Sequence, residues 1–103
     1  MKDIYIYIYP AIFSYANDTD DNDDILVEFP NLDGAFTFGT RPKEAYYKAK
    51  NCLESYLYRM EERGKIIPEP PKKNNIKLKE NQVIEMIKVN MNLVRDEMHN
   101  KAV

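Results

Sequence analysis

Apolar positions along the chain change period several times, and each change marks an element. The run Ile4 to Ala16, IYIYIYPAIFSYA, is β-branched and aromatic throughout. Side chains alternate along a strand, so Ile4, Ile6 and Ile8 share one face and Tyr5, Tyr7 and Tyr9 the other. With both faces apolar, the run predicts a central strand that is covered on both sides. The covers are two layers of the chain itself, or a helix on one side and a second subunit on the other. Pro10 marks a bulge or bend within it. Two shorter runs, Ile25 to Phe29 and Ala35 to Gly39, predict a second and a third strand. The segment Pro30 to Gly34 connects them tightly, as the arms of a hairpin. The three strands together predict an antiparallel meander.

The period then becomes helical. Ala45, Ala49, Cys52, Leu53, Tyr56, Leu57 and Met60 recur at spacings of three and four and form one apolar stripe. Thr40 is the expected N-cap, Pro42 fits the first turn and Glu44 complements the helix dipole. Gly64 is the expected C-cap. The prolines of IIPEPPKKNN rule out helix and predict an extended linker. In QVIEMIKVNM the alternation returns, with Val83, Glu85, Ile87 and Val89 against Ile84, Met86, Lys88 and Asn90. It predicts a half-buried strand, although so short a run leaves a helix open. NLVRDEMHNKAV predicts a short helix with Asn92 as its cap. The order β-β-β-α-β with a terminal helix places the chain in the α+β class.

Charge changes the picture because it is unevenly spread. The 103 residues carry a formal net charge of −2. Residues 1–30 hold seven acids against Lys2, a net of −6, while residues 31–103 carry +4. The concentrated charge is acidic, which argues against nucleic acid as the ligand and favours a basic partner protein or a solvated loop. The acidic run Asp18 to Asp24 fails as an EF-hand. Counted from Asp18, the sixth position needs glycine and is Asp23, and the twelfth needs glutamate and is Phe29.

Candidate chemistry is sparse. His99 is the only histidine and Cys52 the only cysteine. Cys52 lies on the apolar stripe, where a thiol is expected to be buried and inert. No Cys/His cluster has zinc spacing, and no glycine-rich loop could cradle phosphate. The strand order is that of a ribonuclease H core, whose metal chemistry needs converging carboxylates. The interior of the first strand carries none, so nuclease activity is not expected. No metal and no cofactor is predicted. There is no apolar run of membrane-spanning length and no signal-peptide pattern, and a single cysteine forms no internal disulfide. The cytoplasm is the expected compartment.

Taken in order, several short motifs resemble the HicB family of antitoxins. They are Tyr9-Pro10-Ala11, Phe29-Pro30, Leu32-Asp33-Gly34, Glu44-Ala45 in the helix and Pro68-Glu69-Pro70 in the linker. The series spans about nine-tenths of the chain, its specificity lying in the succession rather than in any one piece. The resemblance implies a partial ribonuclease-H-like domain over residues 1–92, with residues 93–103 a helical stub. It implies a non-catalytic antitoxin that binds a small basic mRNA-cleaving toxin of the HicA type. Family members often add a C-terminal DNA-binding domain. The 103 residues either lack that domain or are a fragment ending just before one, so DNA is expected as a partner only through a further domain.

Within this reading Asp20, Asp21, Asp23 and Asp24 are the candidate toxin contacts. Tyr5, Tyr7 and Tyr9 are the candidate interface of a homodimer or larger assembly. Pro30, Asp33, Gly34 and Gly39 form a fold-specifying turn, with Gly39 releasing the chain from the sheet into the helix. The alternative is a ribonuclease-H-like dimerisation module with a regulatory or structural role and no toxin partner.

Overall fold

The computed structural model describes residues 5–15 and 24–101, with side chains as far as Met98. It has the expected α+β order. Strands β1 (Ile6–Ser14), β2 (Ile25–Glu28) and β3 (Phe36–Gly39) lead into helix α1 (Pro42–Glu62). A single 3₁₀ turn at Lys73–Asn75 interrupts the linker, and β4 (Gln82–Asn90) runs directly into α2 (Met91–Lys101). The four strands form one sheet in the order β3-β2-β1-β4, and every pairing is antiparallel.

The antiparallel sense of β4 depends on the linker. A helix that returned straight to the sheet would deliver a strand parallel to β1. Instead residues 63–81 travel back along the molecule before β4 begins. Asn81 meets the far end of β1, where the Tyr15 amide donates to the Asn81 carbonyl at 2.9 Å. From there β4 pairs with β1 along its whole length, from Ser14↔Gln82 to Ile6↔Asn90.

One face of the sheet is covered. Phe13, Val27, Ile25, Ile87 and Val89 pack beneath Ala45, Ala49, Leu53 and Leu57 of α1, all of them buried. The expected stripe is therefore the packing face of the helix, with Cys52 and Tyr56 at its margins. The close approach of helix and sheet has a specific origin. A Cβ on Gly39 would lie 2.5 Å from the Cα of Ala45 and 2.6 Å from its nitrogen. Gly39 is thus required at the end of β3 because the first turn of α1 lies against it.

The ends of α1 also differ in detail from expectation. The N-cap residue is Arg41, with Pro42 following, and no side chain of Arg41 caps the helix. Glu44 reaches back and accepts from the Thr40 amide at 2.8 Å and the Thr40 hydroxyl at 3.1 Å. The reach resembles that of a capping box but goes one residue further, to the position before the N-cap. The Thr40 donors hold the Glu44 carboxyl below the usual glutamate range. At the other end Gly64 has φ +64°, its amide donates to Glu61, and the Lys65 amide donates to Met60. That pair of bonds is a Schellman motif, closed by a glycine in the left-handed region.

Helix α2 is capped by Asn90, not Asn92. The Asn90 Oδ1 accepts from the amides of Asn92 and Leu93 at 3.0 and 3.3 Å. Its Met91 and Val94 are buried in the same core as α1 and the sheet. The core therefore runs across the division expected at residue 92. The guanidinium of Arg95 ties α2 to α1 by a two-pronged ion pair to Glu61, at 2.9 and 2.5 Å.

Candidate interaction surface

The hairpin motif FPNLDGAFTFG is structural in its geometry. Phe29, Leu32 and Ala35 are buried, and the turn closes through Leu32 to Phe29, Ala35 to Leu32 and Phe29 to Ala35 backbone bonds. Asn31 and Gly34 take positive φ, at 71° and 79°. Asp33 is exposed on the turn, and Pro30 follows the end of β2. Phe36 and Phe38 lie on the same face of β3 and meet edge to face at 6.0 Å between ring centres.

That face is the second, open side of the sheet. Cross-strand pairing places Phe38 beside Leu26, Phe36 beside Glu28, Glu28 beside Ile12, and Ile12 beside Ile84. Further along, Pro10 pairs with Met86, Ile8 with Lys88 and Ile6 with Asn90. Among the described residues no helix covers this side. Ile6 (43% exposed), Ile8 (46%), Phe36 (56%), Phe38 (48%) and Met86 (43%) all face outward from it. Ile12, Leu26 and Ile84 fill the spaces between them and are half-buried.

Tyr7 and Tyr9 of β1 are on the opposite side, toward the helix and linker, and Tyr5 lies just before the strand. Tyr9 is only 1% exposed, and its hydroxyl donates to the Pro68 carbonyl of the linker. Burial, with Tyr7 and Glu69 nearby, pushes the Tyr9 hydroxyl up to about 12. Tyr7 is half-buried and stands 6.4 Å from Tyr9 between ring centres. Both border a groove of about 460 Å³ walled by Ile67, Pro68 and Pro70. Only Tyr5 is exposed, and its carbonyl accepts from the Met91 amide at 2.5 Å. Of the expected Tyr5/Tyr7/Tyr9 set, Tyr9 is consumed inside the chain, where it anchors the proline-rich linker, while Tyr5 stays exposed and Tyr7 is half-buried. The outward apolar face of β1 is the isoleucine face.

Of the acidic candidates, Asp20, Asp21 and Asp23 lie outside the described residues. Asp24 is exposed just before β2. Cys52 is half-buried against β3, its Sγ 3.7 Å from the Phe36 carbonyl, and burial pushes its thiol up. A raised thiol is a poor nucleophile at neutral pH. Among the described residues no group of three His, Cys, Asp or Glu side chains could hold a metal ion. No helix there is long and apolar enough to cross a membrane.

Solved structures share this fold. A chain of a toxin–antitoxin complex from Streptococcus pneumoniae superposes with a TM-score of 0.73. The match covers 85% of this chain and 71% of that one, at 22% identity. This is a fold found in toxin–antitoxin complexes. A chain of the HicA3 and HicB3 toxin-antitoxin complex also matches, with a TM-score of 0.57 and 21% identity. It covers 79% of this chain and 95% of the other. No family model matches the sequence, and no curated protein matches it. At these identities the likeness is one of fold.

The outward residues of the sheet were missed because β1 is apolar on both faces. A signal was present in its neighbours. Glu28 in β2 and Lys88 in β4 both pair onto the isoleucine side of β1, through Ile12 and Ile8. The signal is cleanest in β2, because β4 carries a charge on each side, Lys88 opposite Ile8 and Glu85 opposite Ala11.

Proposed function

We propose that this chain is the antitoxin of a toxin–antitoxin pair. It binds a small basic mRNA-cleaving toxin of the HicA type and covers that toxin's active surface, without catalysis of its own. The observation that carries this reading is the fold shared over 85% of the chain with a member of a toxin–antitoxin complex. The ordered motif series in the sequence supports it independently. The acidic segment Asp18 to Asp24 supplies charge complementary to a basic ribonuclease, which speeds encounter and sets orientation. Apolar contacts supply most of the affinity. The cytoplasm is the compartment in which such a pair operates.

Co-expression with the neighbouring small open reading frame, followed by pull-down and a growth-rescue assay, tests this. A stable complex that relieves toxicity is the expected result; binding without rescue refutes it. Changing Asp20, Asp21, Asp23 and Asp24 together to Asn should slow association at low salt. Equal binding by that variant removes the acidic segment from the interface. RNA incubated with the purified chain and Mg²⁺ or Mn²⁺ should stay intact.

A further inference from the structure

The open side of the sheet carries an apolar patch of a size that is often functional, together with one acid and one base. We propose that it binds a second copy of this chain, face to face about a two-fold axis near Pro10. This stands on the geometry of the sheet and does not depend on the toxin reading.

The first argument is area. Ile6, Ile8, Phe36, Phe38 and Met86 are each about half exposed on one surface. At roughly 100 Å² each they present about 500 Å² of apolar area, at the upper end of what monomers leave uncovered. A standard interface buries about 800 Å² per partner, of which about 65% is apolar in homodimers. The patch therefore has the apolar area that one half of such an interface requires.

The second argument is charge. Within the strands this face carries one acid, Glu28, and one base, Lys88. A basic partner would find no net attraction in such a pair, whereas a second copy finds a complement. Glu28 pairs across β1 with Ile12, and Lys88 with Ile8. The two charges are thus two strands and two same-face steps apart, roughly 17 Å from strand spacing and rise. Pro10 lies midway between them, on β1, and opposes Met86.

A two-fold axis through Pro10 that exchanges the two positions lays Glu28 over Lys88 of the other copy, and Lys88 over Glu28. Both ion pairs form at once, as a self-complementary interface demands. The strands of the two sheets then cross at roughly 70°, near the orthogonal class of sheet packing. Pro10 is buried and projects little, so the centre of the face allows close approach.

Sedimentation equilibrium of the full chain, from about 1 to about 100 μM, tests the proposal. A concentration-dependent dimer is expected, and a monomer across this range overturns it. Ile8→Glu and Phe38→Glu, both on exposed positions, should each weaken the dimer by roughly 100-fold while circular dichroism stays that of the parent. A folded variant that dimerises as the parent does overturns the proposal. The charge test fixes the orientation. Glu28→Lys or Lys88→Glu alone should weaken association by about 10-fold, and the double exchange should restore it. Failure of the double exchange to recover overturns the two-fold arrangement. If Ile8→Glu abolishes capture of a co-expressed toxin while the dimer persists, the face belongs to that toxin, and the proposal is overturned.

Discussion

Replacing Gly39 with alanine adds one methyl group at the tightest contact between sheet and helix. The new Cβ would sit 2.5 Å from the Ala45 Cα, 2.6 Å from its nitrogen and 2.8 Å from its Cβ. Carbon atoms rest at about 3.5–4.0 Å, so the shortfall is about 1 Å. Two of the three obstacles are backbone atoms, which no rotamer change can move aside. The Ala45 amide is itself held by the Arg41 carbonyl at 2.8 Å. The first turn of α1 must therefore lift as a unit. A gap of 0.5–1 Å forfeits about a quarter to a half of the dispersion energy of the atoms along it. Those atoms include Ala45 and Ala49, both fully buried. Overpacking by a methylene costs about 1–3 kcal/mol, and backbone obstacles place this case near 3. For a chain of this size that lowers Tm by roughly 10–25 °C. Urea and thermal unfolding followed by circular dichroism measure it. The double variant Gly39→Ala/Ala45→Gly should recover little, because it removes only the 2.8 Å contact and adds about 1 kcal/mol of helix cost. Stability of Gly39→Ala within about 0.5 kcal/mol of the parent would refute the close-approach argument.

Tyr9→Phe removes the hydroxyl that holds Pro68 and should cost about 1–2 kcal/mol in urea unfolding. The same hydroxyl makes stability fall at alkaline pH. The unfolded tyrosine ionises near 10 and the folded one near 12, so stability present below pH 10 is lost as pH rises through that window. The loss is about 2–3 kcal/mol, and comparing unfolding at about pH 9 and about pH 11 should show a smaller drop in Tyr9→Phe than in the parent. Gly64→Ala forces an alanine into the left-handed conformation and should cost about 1 kcal/mol, read from the urea midpoint at unchanged slope. Cys52 should react with a thiol reagent far more slowly in the native chain than in urea; equal rates would contradict its half-buried setting.

The elements were legible because their periods are clean. The stripe from Ala45 to Leu57 matches one geometry, so α1 was readable in place, while the alternation in Gln82 to Asn90 favoured the strand that β4 forms with a helix still open for so short a run. The caps were less so. Glu44 serves Thr40 from inside the helix, which moves the N-cap to Arg41, and Asn90 serves α2 from the last position of β4. In both, a side chain two to four residues away decides the boundary. Which face of β1 meets the helix was not legible from that strand alone, since isoleucine is buried more often than tyrosine and that preference points to the wrong face. The linker decides it: Pro68 takes the Tyr9 hydroxyl and draws the tyrosines inward. Gly39 was readable as special, but its reason is a contact with a residue six positions on, which only packing reveals.

The pairing of β1 with β4 has a consequence for how the chain is made. The central strand is complete at Ser14, but its long partner does not begin until Gln82. At 5–20 residues per second, β1 waits roughly 3–14 s on a ribosome for that partner. During that interval one of its edges is a bare row of amides and carbonyls bordered by isoleucine and tyrosine. Such an edge is an aggregation template. The meander and α1 can protect only one side of it. The seconds before β4 arrives are therefore when a nascent chain is most exposed to mispairing, and slowing translation between residues 15 and 81 should lower soluble yield without altering the finished protein.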